Sequence, residues 1–110
     1  MDGEYVVELK GDAGRVVLAG EIDVLAAPGV LEAIDLALAL RAGRILIDLG
    51  AVTFLDSAGI RAIVIGYQDA VRLGAGFAIG AVQPNVARIL ALTGLRDVLS
   101  AEPAVQRLTR

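Results

Sequence analysis

Short runs of strand-forming residues alternate along this chain with segments whose apolar residues recur at helical spacing, and that alternation limits the fold more than any other feature. Residues 4–9, Glu-Tyr-Val-Val-Glu-Leu, and 15–20, Arg-Val-Val-Leu-Ala-Gly, have strand character. They flank the turn-forming Gly11-Asp12-Ala13-Gly14, so they are expected to pair as an antiparallel hairpin. Residues 44–49, Arg-Ile-Leu-Ile-Asp-Leu, and 76–82, Gly-Phe-Ala-Ile-Gly-Ala-Val, are apolar runs of strand length. Both are consistent with strands covered on both faces. A final short strand is expected near Asp97–Leu99.

Helical patterns fill the intervals. From Ala26 to Arg41, Pro28 suits a first turn, and Val30, Leu31, Ile34 and Leu38 form one stripe. Residues 57–73 repeat Ile60, Ile63, Val64, Tyr67 and Val71, with Gly74 as the stop. A third helix is expected over Pro84–Leu92, with Val86, Ile89 and Leu90 inward, and a fourth over Glu102–Leu108. The expected fold is therefore α/β: one domain over residues 1–110, a mostly parallel sheet with an N-terminal antiparallel hairpin strand, and about four helices.

Composition narrows function by exclusion. Mean hydropathy is high at +0.70, but a helical membrane span needs roughly 20 nearly uninterrupted apolar residues. Asp35, Arg41, Arg61, Asp69 and Arg72 interrupt the richest segments, and the acidic start of the chain is unlike a signal peptide. A cytoplasmic location without membrane insertion is expected. The sequence has no Cys and no His, which removes thiol nucleophiles, the usual neutral-pH base and the commonest metal ligands. Lys10 is the single lysine, and no phosphate loop ends in Gly-Lys-Ser/Thr. A net charge of −3 without a basic run speaks against nucleic acid as partner. The chain is thus read as a binding protein with no enzymatic activity, no cofactor and no metal.

The segment Asp48-Leu49-Gly50-Ala51-Val52-Thr53-Phe54-Leu55-Asp56-Ser57-Ala58-Gly59-Ile60 carries the functional signal. It reads as a strand ending near Leu49, a loop, and a helix opening at Asp56-Ser57. Sites in open α/β sheets gather beyond the carboxyl ends of strands, and a helix N-terminus favours an anion. Ser57, one of only two serines in the sequence with Ser100, is well placed to carry a phosphate. Asp56 or Ser57 also suits an ordinary N-cap, and the two readings are compatible.

With Leu18-Ala19-Gly20-Glu21-Ile22-Asp23, Pro84-Asn85-Val86 and Leu92-Thr93-Gly94-Leu95, the Asp56-Ser57-Ala58-Gly59-Ile60 element resembles the STAS domain of anti-sigma factor antagonists, over roughly Tyr5 to Leu108. The resemblance implies phosphorylation of Ser57 by an anti-sigma factor that is itself a serine-protein kinase. It also implies that Asp23 contributes to partner contact and that the unphosphorylated form binds the kinase and releases a sigma factor. Asp23, Asp56, Ser57, Ala58 and Gly59 are the expected partner-binding residues, joined by Arg61 and Ile65 on the wet face of the second helix. Ala58 stands where the family often has a second Ser or Thr. Arg61 stands where a small residue is common, which bears on kinase choice. The alternative within the same resemblance is a non-phosphorylated interaction subunit of a lipid-transport ABC complex. A monomer or weak dimer is expected, with Leu36 and Leu40 as an exposed apolar pair on the first helix.

Overall fold

The computed structural model describes residues 4–93. The elements run β1 (Glu4–Lys10), β2 (Ala13–Ile22), α1 (Ala27–Ala39), β3 (Arg44–Leu55), α2 (Ser57–Arg72), β4 (Gly76–Val82) and α3 (Pro84–Thr93). Gly11, at φ +64°, turns β1 back on β2. The four strands lie in the order β1-β2-β3-β4, with β1 antiparallel to β2 and the other two pairs parallel. The α/β sheet with one antiparallel strand at its edge matches the sequence expectation. The expected strand at Asp97–Leu99 and the helix at Glu102–Leu108 lie outside the described residues.

Two expectations are corrected. In β3, Ile45, Ile47 and Leu49 are fully buried and alternate with half-buried Arg44, Leu46 and Asp48. That period of two belongs to a strand with one fully covered face, not to one covered on both. On the less covered face Arg15 bridges Glu8 and Asp48, and the Asp48 carboxylate, by hydrogen bond and charge, holds the guanidinium above its ordinary pKa.

The second correction concerns α2. Its buried stripe is Gly59, Ala62, Ile63, Gly66 and Ala70. Of the stripe expected from size alone, Ile60, Val64 and Tyr67 are half-buried and Val71 is exposed. The helix is thus turned by about one residue, about 100°. Small residues let its backbone approach α1 and the sheet: an ideal Cβ on Gly66 would fall 2.4 Å from Ile34 Cδ1. Larger side chains then pack along the flanks, where Tyr67 meets Phe77 edge to face at 5.6 Å. α1 behaves alike, burying Ala27, Val30, Ala33, Ile34 and Ala37 while Leu31 and Leu38 are half-buried. Val86 and Leu90 of α3 complete the same core.

This rotation is testable by chemical denaturation. Ala70→Leu should cost about 1–3 kcal/mol through overpacking, whereas Val71→Ser should stay within about 0.5 kcal/mol, as a surface change does.

Candidate functional site

The strand leading to Ser57 is longer than its sequence suggests. Residues 50–55 are not a loop: β3 resumes past Gly50, with Ala51, Val52, Phe54 and Leu55 in register with Ala19, Gly20, Glu21 and Ile22 of β2. Register shifts after Val17 and Gly20 absorb the irregularity. On the other side, pairing with β4 stops at Leu49 and Val82. Side-chain amides take over there: Gln83 Nε2 donates to the Gly50 carbonyl at 2.8 Å, and Asn85 Nδ2 to the Thr53 carbonyl at 2.9 Å. The segment before Ser57 is therefore braced from both sides, and Asp56 alone connects strand to helix.

Asp56 caps α2. Its Oδ1 accepts from the N–H groups of Ala58 (2.9 Å) and Gly59 (3.0 Å), and its own N–H donates to the Ile22 carbonyl at 3.2 Å. Ser57 follows at the first helical position, exposed, and among the described residues its hydroxyl has no hydrogen-bond partner. The cap and the candidate phosphoacceptor are therefore two residues with separate tasks. Gly59 explains itself by distance: an ideal Cβ would fall 2.7 Å from both the Ile22 carbonyl oxygen and Leu55 Cδ1. Only a glycine lets the first turn of α2 lie on the end of β2.

Asp23 begins the neighbouring β2–α1 loop. Its Oδ1 accepts from the N–H groups of Leu25 (3.0 Å) and Ala26 (3.1 Å), and its carbonyl accepts from Ala26 and Ala27. The carboxylate thus shapes its own turn. Because Ile22 pairs with Leu55 and bonds to Asp56, this turn and the α2 N-terminus sit side by side at the same end of the sheet. Ala58 and Gly59 lie in the first turn, half-buried and buried. Arg61 is exposed, four residues beyond Ser57, and has no ion pair among the described residues. Ile65 is half-buried two turns on, so it presents less surface than a wet-face position implies.

Three residues missed as contact candidates surround this end. Val24 and Leu25 are 68% and 76% exposed, and Phe54, opposite Glu21 in the sheet, is also exposed. Large apolar side chains beside a turn-forming Asp were the available signal. A cleft of about 170 Å³ lies between Leu25, Ala26 and Tyr5. That is below the roughly 300–1,000 Å³ of small-molecule sites and suits a single side chain.

The STAS domain family model matches residues 4–108. This chain belongs to the STAS domain family. Among solved STAS-like structures, an anti-sigma factor antagonist from Mycobacterium paratuberculosis is 29% identical, with a TM-score of 0.79 over 96% of this chain and 94% of that one. The anti-sigma factor antagonist SpoIIAA in its unphosphorylated form is 19% identical, with a TM-score of 0.74 over 86% and 84%. The Bacillus cell fate determinant SpoIIAA in its phosphorylated form is 17% identical, with a TM-score of 0.67 over 84% and 85%. The STAS fold here is a single α/β domain whose described part holds a mixed four-stranded sheet and three helices.

The division of labour at α2 predicts unequal effects in urea denaturation. Asp56→Ala should lose about 0.5–2 kcal/mol with its cap, and Gly59→Ala about 1–3 kcal/mol by overpacking. Ser57→Ala should change stability by no more than about 0.5 kcal/mol. A Ser57→Ala loss matching that of Asp56→Ala would give the hydroxyl a structural task.

Proposed function

We propose that this STAS domain is an anti-sigma factor antagonist whose grip on an anti-sigma factor kinase is released by phosphorylation of Ser57. The observation that carries this reading is the exposed, unbonded Ser57 hydroxyl beside a cap that Asp56 supplies alone. Modification therefore sacrifices no native hydrogen bond and no core packing. The likeness to the mycobacterial antagonist, at 29% identity along nearly all of both chains, supports the class of function. SpoIIAA, of the same fold, is known in unphosphorylated and phosphorylated forms, which supports the mode of control.

In the proposed reaction the Ser57 Oγ attacks the γ-phosphorus of ATP bound by the kinase. An O–P bond forms, the bond to the bridging oxygen of ADP breaks, and the hydroxyl proton passes to a base on the kinase. The product adds roughly −1.5 to −2 charges and three acceptor oxygens. The α2 N-terminus tolerates an anion, so the domain itself remains folded. The cost falls on the interface: a partner docked over the neutral hydroxyl, between Asp56 and the Asp23 turn, meets a desolvated anion instead. A 100-fold loss of affinity requires about 2.7 kcal/mol, a modest demand on such repulsion. Val24, Leu25 and Phe54 supply the apolar contact area around that centre, in keeping with interfaces that combine buried apolar anchors with a polar element. Among the described residues no helix is long and apolar enough to cross a membrane, and a partner that uses ATP puts this activity in the cytoplasm.

Incubation with candidate anti-sigma kinases and ATP, followed by peptide mass analysis, should locate one phosphate on Ser57. Ser57→Ala should keep partner binding, and the phosphorylated protein should bind at least about 100-fold more weakly. Modification at Ser100 instead would refute the reading. So would stable association with permease or ATPase subunits of a transporter with Ser57 unmodified.

Arg61 lies one helical turn from the modified oxygen and lacks a counter-ion among the described residues. A phosphate on Ser57 gains that guanidinium as a neighbour at i, i+4, which softens the switch. Arg61→Ala should therefore widen the affinity ratio between unphosphorylated and phosphorylated forms. An unchanged ratio removes Arg61 from the mechanism.

A further inference from the structure

β1 is an edge strand of seven residues with its outer backbone row unpaired by any described strand. An edge of that length is ordinarily blunted by a bulge, a proline, a covering element or charged side chains, and of these β1 carries only the charges Glu4, Glu8 and Lys10. Here pairing with β2 runs without a shift from Glu4 to Lys10, and the strand holds no proline. Tyr5, Val6 and Leu9 are exposed along it.

The charges on β1 are self-complementary. Two copies related by a two-fold axis normal to the sheet pair antiparallel, and opposed residues must share a face. Centring on Val7 sets Glu4 opposite Lys10 of the second copy at both ends. It also sets Tyr5 opposite Leu9, Val6 opposite Glu8 and Val7 opposite Val7, using the whole strand. Shifting toward the N-terminus, with Val6 central, opposes Glu4 to Glu8; shifting the other way opposes Glu8 to itself. Of these three same-face registers, only the one centred on Val7 avoids facing like charges, which are destabilising when directly opposite.

The helix above this edge is apolar in the matching place. Gly29 and Glu32 of α1 lie against Tyr5, whose hydroxyl donates to Glu32 Oε1 at 3.4 Å. Leu36 and Leu40 continue that side of α1 at i+4 and i+8, and both are exposed. α1 packs over β1 and β2. In the paired arrangement the two α1 helices would lie about two strand spacings apart, about 10 Å. That is close to the roughly 8–10 Å at which helices pack, so Leu36 and Leu40 would meet their counterparts.

We propose that a second copy of this chain occupies the β1 edge, forming a two-fold dimer through antiparallel β1–β1 pairing centred on Val7 and through the Leu36/Leu40 face of α1. The sheet becomes continuous across eight strands of the two described domains. Ser57 follows β3, two strands in from the paired edge, so each dimer presents two phosphosites. The inference does not depend on the function proposed above, since neither Ser57 nor its modification enters the pairing.

Sedimentation velocity and light scattering over a series reaching millimolar concentration should show the mass rise from 11.3 kDa toward twice that value. Lys10→Glu sets carboxylates against each other at both ends of the pairing and should weaken dimerisation at least tenfold. Adding Glu4→Lys to it restores opposite charges and should recover the dimer. Circular dichroism of each variant checks that the fold is intact. A protein monomeric throughout the series overturns the proposal, as does a dimer indifferent to Lys10→Glu or not rescued by the double exchange. A dimer lost on Leu36→Asp but unaffected by Lys10→Glu would be helix-mediated and would overturn strand pairing.

Discussion

Asp56 joins β3 to α2 by itself, and its two hydrogen-bonding functions hold the site together. The backbone N–H ties the end of β3 to the Ile22 carbonyl of β2, while the carboxylate accepts from the N–H groups of Ala58 and Gly59 at the start of α2. Sheet and helix are thereby fixed to each other through one residue. Orphan N–H groups at a helix start need acceptors, and Asp56 satisfies two of them. The serine beside it is left unengaged.

Close approach reinforces the cap. Gly59 rests on the Ile22 carbonyl, and Gly66 rests on Ile34 about two turns later. With Ala62 and Ala70 they give α2 a thin inner face, so that helix, sheet and α1 pack at short range. The rigidity of the Ser57 position follows from this packing and from the amides of Gln83 and Asn85 on the Gly50 and Thr53 carbonyls. Ser57 thus projects from a rigid platform. A charge added there changes what a partner meets and need not alter the fold, which suits a binding switch that acts by local electrostatics.

Much of the exposed apolar surface of the described residues lies in two places, which meet where Tyr5 and Leu25 line one cleft. One, around Val24, Leu25 and Phe54, surrounds the serine; the other follows β1 and the outer side of α1 through Tyr5, Leu9, Leu36 and Leu40. Both expose large side chains that the core had room to exclude, because alanine and glycine line its helices.

Much of this was legible in the residues alone. Alternating runs placed the four described strands and three helices, the two-residue Asp-Ser element marked the helix start, and composition cut the candidate serines to Ser57 and Ser100. These are local properties, set by propensity, periodicity and capping chemistry, so sequence determines them directly. The extension of β3 to Leu55 was hidden because Gly50 looks like a strand stop, and only the pairing with β2 overrides it. The inward face of α2 was hidden because periodicity weights large side chains, whereas the backbone approach to Ile22 and Ile34 selects small ones. Which of Asp56 and Ser57 caps the helix also needed the tertiary structure, since either type serves and only the geometry of the chain's arrival from β3 chooses. Local chemistry named the candidates; distances between segments remote in sequence assigned their tasks.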